Sequence, residues 1–366
     1  MKKIIVSVTT DLISDQRVHK MCLSLSNSGH DVLLVGRKLS NDIVSKRPYK
    51  VKRFNMFFRK GFLFYMFFNI RLFFVLVFTK CDAYLSNDLD TLIPNFLASK
   101  IKKKPLVYDS HELFTEVPEL INKKFVKSFW LYVEKKIFPK LKNIITVSEG
   151  ISFFYKNKYK KSVLVIKNVP FLNNHFNQKK EITNLSNYNK NKNNIIYQGS
   201  LNKDRGIKLM IEMMEYLDAN LFLVGSGDLE EELKENVKKK NLQSKVFFVG
   251  RVPFEKLQSI TTKFDLGLSF EEDTCLAYRF SLPNKVFDYI HAGVPVLTSN
   301  LPDVSRFVKE NNVGEVLGSR DPKNVALQIK KVLQRKEFYD NYIDIAKNQF
   351  CWEREGVKII QVFKSL

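Results

Sequence analysis

Residues 282–298 read Leu-Pro-Asn-Lys-Val-Phe-Asp-Tyr-Ile-His-Ala-Gly-Val-Pro-Val-Leu-Thr. Pro283 suits the start of a helix, where its missing N–H costs nothing. Gly293 suits a C-terminal stop, and residues 294–297 then read as a buried strand. Lys285 and Asp288 stand three apart, so they share one helix face in its first turns. Backbone N–H groups at a helix start attract an anion such as a phosphate, and Lys285 adds a full charge. Asp288 is placed where a carboxylate accepts hydrogen bonds from the vicinal hydroxyls of a sugar. The pairing points to a sugar-nucleotide site.

Working outward, apolar strand-like runs alternate with longer helical stretches, the pattern of parallel α/β sheets. Strands are expected at 4–8, 32–35, 83–86, 106–108, 144–147 and 163–166 in the first half. In the second half they are expected at 195–197, 221–224, 246–249, 266–269 and 294–297. Between the halves, residues 173–194 are rich in Asn and Lys and read as a linker or exposed loop. The expectation is two Rossmann-like domains, 1–172 and 195–345, followed by a terminal segment, 346–366. A chain of 366 residues is long enough for two separate cores.

Four scattered cysteines, Cys22, Cys81, Cys275 and Cys351, form no C-x-x-C pair and read as free thiols. The five histidines lack ligand spacing as well. Met1-Lys2-Lys3 runs straight into the first strand-like segment, and a cytoplasmic protein is expected. Sixty basic against 38 acidic residues give a net charge of +22, which suits nucleic acid, an anionic membrane or phosphorylated substrates. The Lys runs are dispersed and match no nucleic-acid-binding pattern, so nucleic acid is not an expected partner.

Further motifs follow the predicted strands, where open α/β sheets gather their ligands. Tyr197-Gln198-Gly199-Ser200 leads to Asp204-Arg205-Gly206, a glycine loop with a cation before the next helix. Gly199 allows close backbone approach to a ligand. Leu223-Val224-Gly225-Ser226-Gly227 is a second strand–glycine turn. His111, in Tyr108-Asp109-Ser110-His111-Glu112, either meets a sugar and the acceptor's proton or caps the next helix. Ser14 or Asp15 can cap the helix that carries Arg17.

These motifs resemble those of family-4-type retaining glycosyltransferases, in the glycosyl transferases group 1, which have the two-domain GT-B fold. The 288–296 run, Asp-Tyr-Ile-His-Ala-Gly-Val-Pro-Val, is similar to the donor signature of that family. The resemblance implies an α/β GT-B architecture with a deep interdomain cleft and a C-terminal helix crossing back to the first domain. It implies a donor site at Gly199, Ser200, Arg205, Gly225, Pro283, Asn284 and Lys285, with His111 and Asp288 as catalytic residues. Asp15 and Arg17, which match an Asp-x-Arg-Val pattern, would lie on the acceptor side. Two departures stand out. Ser200 holds the place of a usual Arg, and Phe280 stands eight before Asp288 where the family has a first glutamate. Glu271, Glu272 or Asp273 is left to supply that carboxylate. The implied activity moves a sugar from a UDP or GDP donor to a lipid-linked or polysaccharide acceptor, with no metal and no cofactor. A sugar-nucleotide epimerase of the same fold and a catalytically weak partner subunit remain as alternatives.

Asp88-Leu89-Asp90 is a D-x-D, the metal signature of the other large glycosyltransferase fold, yet it reads here as a loop or cap. Residues 61–78 are almost wholly apolar, near the length of a membrane span. Arg71 near the middle would cost about 3 kcal/mol in a bilayer. A span would also part strands that should share one sheet. Two readings stay open: a helix lying in an anionic interface with Phe67 and Phe68 toward lipid, or a buried helix of the α/β layer.

Overall fold

The computed structural model describes residues 1–12, 15–39, 47–172, 185 and 188–366. The chain divides into two compact units, residues 1–168 with 352–366, and residues 169–351. Each is built on one parallel sheet. In the first, β1 (Lys3–Asp11), β2 (Asp31–Arg37), β3 (Lys50–Phe54), β4 (Ala83–Asn87), β5 (Leu106–Ser110), β6 (Asn143–Thr146) and β7 (Leu164–Val165) lie in the order β3-β2-β1-β4-β5-β6-β7. In the second, β8 (Asn194–Gln198), β9 (Asn220–Val224), β10 (Val246–Gly250), β11 (Leu266–Ser269), β12 (Val296–Thr298) and β13 (Gly314–Val316) lie in the order β10-β9-β8-β11-β12-β13. Strand order reverses at β1/β4 and again at β8/β11. A crevice opens at such a switch point, because the two flanking loops leave in opposite directions. Both candidate site clusters sit there.

Central strands such as β4, β5, β8 and β9 are buried throughout, as expected where helices cover both faces. The sequence reading missed β3 and β13. β3 is an edge strand of sequence Lys-Val-Lys-Arg-Phe, whose charges suit an edge and hide its β pattern. The strand expected at 294–297 pairs only from Val296. Val294 N–H still closes the preceding helix on Tyr289 O at 2.9 Å, and Pro295 has no N–H to give. Residues 173–184 and 186–187 of the expected linker lie outside the described residues. Asn194 is already the first residue of β8, buried and bonded to Asp265.

The helix Trp352–Lys364 belongs to the first unit, whereas Lys336–Gln349 stays with the second. Trp352 is buried, and its indole N–H donates to Ser24 Oγ at 2.8 Å. Glu355 accepts from Lys167 N–H at 2.9 Å, tying the helix to the end of the same unit's chain.

Residues 61–78 form one helix, Gly61–Phe78. Phe64, Phe68, Leu72 and Leu76 recur every fourth position and are buried. Burying each is worth about 1.5–3 kcal/mol, enough to hold the helix in its layer. Asn69 Nδ2 donates to Asp90 O at 3.0 Å, and Arg71 lies over the Phe54 ring at 4.6 Å. Phe67 faces outward and Phe68 inward, so the expectation that both meet lipid fails for Phe68.

Candidate functional site

In the second unit, β8 ends at Gln198 and the chain turns at Gly199, with φ +145°. Gly199 N–H donates to Val224 O at 2.9 Å, so the turn rests on the end of β9. Gly225 has φ +142°, and a Cβ there would run into the Gly199 carbonyl. Glycine is needed at Gly225 for both reasons, and the two turns stack backbone on backbone. Ser200 is half-buried, and its carbonyl accepts from Tyr197 Oη at 2.8 Å.

The helix Asn284–His291 starts after Pro283, whose extended backbone sets its direction, and Gly293 ends it with φ +76°. Lys285 points inward. Its ammonium donates to Glu271 Oε1 at 2.8 Å and lies 4.2 Å from the Tyr197 ring centre. Arg205, 29% exposed, reaches the same Glu271 oxygen at 3.5 Å and stacks over Tyr278 at 4.7 Å. Ser269 Oγ donates to the other carboxylate oxygen at 2.6 Å. Burial would raise the Glu271 carboxyl, but Lys285 and Arg205 outweigh it and hold it at about 2. Two cations on one carboxylate leave a single net positive charge, suited to a phosphate.

Of the three upstream acids, Glu271 is the one that turns into the site. Glu272 pairs with Arg320 and Asp273 with Arg279, both exposed. Phe280, in the place of the family's first glutamate, supplies no charge. Asp288 Oδ2 accepts from Gln198 Nε2 at 3.0 Å, and Gln198 Oε1 accepts from Thr261 Oγ1 at 3.1 Å. The half-buried Asp288 is therefore oriented from β8. Asn284 is exposed at the first turn of the helix. Sequence reasoning quoted Tyr197 and Gln198 within the glycine motif but gave them no role, and it missed Tyr278. It also missed Arg251, at the end of β10, whose Nε donates to Ser226 Oγ at 2.5 Å beside the Gly225 turn.

The first unit carries a second cluster after β1, β4 and β5. Arg17 is buried and grips Asp109 with two bonds, Nε to Oδ2 at 2.9 Å and Nη2 to Oδ1 at 2.8 Å. Its third donor goes to Ile166 O at 2.8 Å. Asp15 caps the helix Gln16–Asn27, accepting from Val18 N–H at 3.0 Å and Thr10 Oγ1 at 2.8 Å. Both residues expected on the acceptor side are thus engaged in internal bonds. Ser14 lies outside the described residues.

His111, 19% exposed, follows Asp109 on β5. Its Nε2 is 3.0 Å from Asp109 Oδ2, and its Nδ1 is 3.2 Å from Asp88 Oδ2. Its own N–H donates to Asp88 Oδ1 at 2.9 Å. Burial lowers the imidazole pKa, but Asp88 and Asp109 outweigh it and raise it to about 9. Arg17 and His111 in turn overcome the burial of Asp109 and hold its carboxyl at about 2. Burial raises the Asp88 carboxyl to about 7 even beside His111, so Asp109 is the firmer counterion of the ring, and the two acids together favour its protonated form. Asp88 holds this arrangement with φ 57° and ψ 170°, a region sparsely used outside glycine. Asp90 turns to the Thr9 hydroxyl instead, so the D-x-D carboxylates take separate partners.

Two Rossmann-like parallel sheets, each with a switch point, define the GT-B class. Comparison with known proteins agrees: residues 15–168 match the family model "Glycosyltransferase Family 4", and residues 178–349 match "Glycosyl transferases group 1". The chain belongs to the family-4-type glycosyltransferases of group 1 and is a glycosyltransferase. It is similar to sucrose-phosphate synthase from Thermosynechococcus elongatus (TM-score 0.79, 15% identity, covering 100% of this chain and 99% of that one). Anabaena HepE in complex with UDP-glucose gives a TM-score of 0.76 at 15% identity, with both chains fully covered. WaaG, a glycosyltransferase involved in lipopolysaccharide biosynthesis, gives 0.67 at 13%, covering 97% and 99%. An uncharacterized glycosyltransferase from Methanocaldococcus jannaschii, MJ1607, is 23% identical over 181 residues. That match takes in 46% of this chain and 44% of the relative's length.

Proposed function

We propose that the chain moves a sugar from a nucleotide-diphosphate donor, UDP or GDP, to a lipid-linked or polysaccharide acceptor. The Lys285–Glu271–Arg205 cluster beneath the Gly199 and Gly225 turns carries this reading. Arg205 is the more exposed cation and the more distant from Glu271, so it is the one released to meet a diphosphate. Lys285 stays buried and fixes the charge, while Asp288, held by Gln198, accepts from sugar hydroxyls. HepE, structurally similar, is described in complex with UDP and with UDP-glucose, which supports a donor of that class. The resemblance to the retaining family favours retention of anomeric configuration. His111 serves as a positive charge on the first unit, with Arg17 and Asp109 positioning it and Asp15 fixing the helix that carries Arg17. The exposed face of Gly61–Phe78 fits peripheral contact with the inner membrane face from the cytoplasm.

Product analysis tests the proposal. Purified protein given a nucleotide-sugar and a lipid-linked acceptor should form glycosylated acceptor and free nucleotide diphosphate. Conversion of donor alone into an epimer would replace the transferase reading with isomerisation.

A further inference from the structure

The helix Gly61–Phe78 has an outer stripe opposite its buried one. Leu63, Phe67, Ile70, Phe74 and Phe78 share it and are between 41% and 81% exposed. A helix over a soluble sheet normally turns polar groups outward; here five apolar side chains face out, and the exposed Arg71 at their edge folds over Phe54. Phe74 and Phe78 stack on each other with ring centres 6.1 Å apart. The strand order steps one way from β3 to β4, β5 and β6, so the connecting helices share one face of the sheet. On the neighbouring helix Leu92–Lys102, Leu97 and Ile101 are exposed one turn apart and extend the apolar surface.

A lysine-lined pocket borders it. Lys102 Nζ donates to Thr79 O at 2.6 Å, which joins the end of the apolar helix to the lysine-rich end of its neighbour. There Lys100, Lys103, Lys104, Lys140 and Lys142 line a pocket of about 410 Å³ with Phe96. Lys104 reaches Asp82 at 3.5 Å. Among the described residues the other four pair with no carboxylate, and the Lys100 and Lys140 ammoniums lie 5.4 and 6.0 Å from the Phe96 ring centre. The pocket lies at the start of β5 and β6, the opposite end of the sheet from His111.

We infer that this apolar stripe and lysine pocket together dock the chain on an anionic bilayer, the phenyl rings entering the interface and the lysines taking lipid phosphates. Free phosphate would satisfy the pocket and leave the stripe unexplained. A second copy would cover the stripe and leave the lysines without an anion. An anionic bilayer meets both halves at once, apolar below and negative at its surface. The inference rests on the membrane contact proposed above and adds the headgroup site. It stands apart from the donor chemistry.

The test is co-sedimentation of the full chain with phosphatidylcholine vesicles, with and without phosphatidylglycerol. Wild type should sediment with the anionic vesicles only and be released by added salt. Lys100→Glu/Lys103→Glu/Lys140→Glu and, separately, Phe74→Ser/Phe78→Ser should each weaken vesicle binding at least tenfold while keeping the wild-type melting temperature and its shift with UDP. Vesicle binding lost with the UDP shift intact in both variants leaves the donor reading untouched. Wild type that ignores phosphatidylglycerol, or variants that bind as tightly as wild type, would overturn the inference. So would a concentration-dependent dimer abolished by Phe74→Ser/Phe78→Ser, or stabilisation by inorganic phosphate without vesicle binding.

Discussion

Asp109 and Glu271 are one device used twice. Each is a buried carboxylate at the carboxyl end of a central strand, Asp109 within β5 and Glu271 just past β11, and each carries two cations: Arg17 with His111, and Lys285 with Arg205. Removing one partner of a buried pair leaves an uncompensated charge, at a cost of about 3–5 kcal/mol. Lys285→Ala should lose about that much in chemical denaturation. Lys285→Met combined with Glu271→Gln should recover most of it, because the charge is removed with its partner. A small loss in the single variant would mean that Arg205 alone neutralises Glu271. His111 gives a pH signature. Its folded pKa, about 9, lies above the ordinary histidine value, so its contribution is whole below about 6.5 and fades as pH rises through 9. The melting-temperature gap between wild type and His111→Asn should therefore narrow between pH 7 and 9.5. A gap that stays constant over that range would mean a neutral imidazole. Asp109 works in the other direction, its share fading only as pH falls from about 3.9 toward 2.

At the scale of elements, the helix Gly61–Phe78 separates core from surface within adjacent residues. Phe68→Ala should cost about 3–5 kcal/mol, as a buried ring packed on Phe54 and Phe64. Phe67→Ser should fall within about 0.5 kcal/mol of wild type. Equal losses would place both rings in the core. Gly225→Ala should abolish nucleotide-induced stabilisation, since its Cβ would part the Gly199 and Gly225 turns. The helix Asn284–His291 was legible because Pro283 and Gly293 punctuate it, and the parallel architecture because buried strands are apolar end to end. The edge strands β3 and β13 were not, because β3 is mostly charged and β13 has three residues. The choice among Glu271, Glu272 and Asp273 was hidden too. A loop has no periodicity to say which carboxylate turns inward. Arg17 and Asp109 were each noted, but their bond spans 92 residues and only the folded sheet brings them together.

The whole molecule divides its chemistry between two units. The second carries the Lys285–Glu271–Arg205 cluster, and the first carries the His111 cluster and the apolar helix. Two units can unfold in separate transitions, so a ligand of one need not stabilise the other. The central claim is that Arg205, with Lys285 fixing the charge behind it, holds a nucleotide diphosphate on residues 169–351. The most direct measurement is calorimetric melting of the full chain with UDP, GDP, ADP, CMP and dTDP, with a chelator present. At a hundredfold excess over Kd, a bound nucleotide adds about 2.7 kcal/mol, readable as a rise of a few degrees. UDP or GDP should give the largest rise, Arg205→Met should shrink it, and His111→Asn should leave it intact. No rise with any nucleotide, or a rise that Arg205→Met does not diminish, would contradict the account.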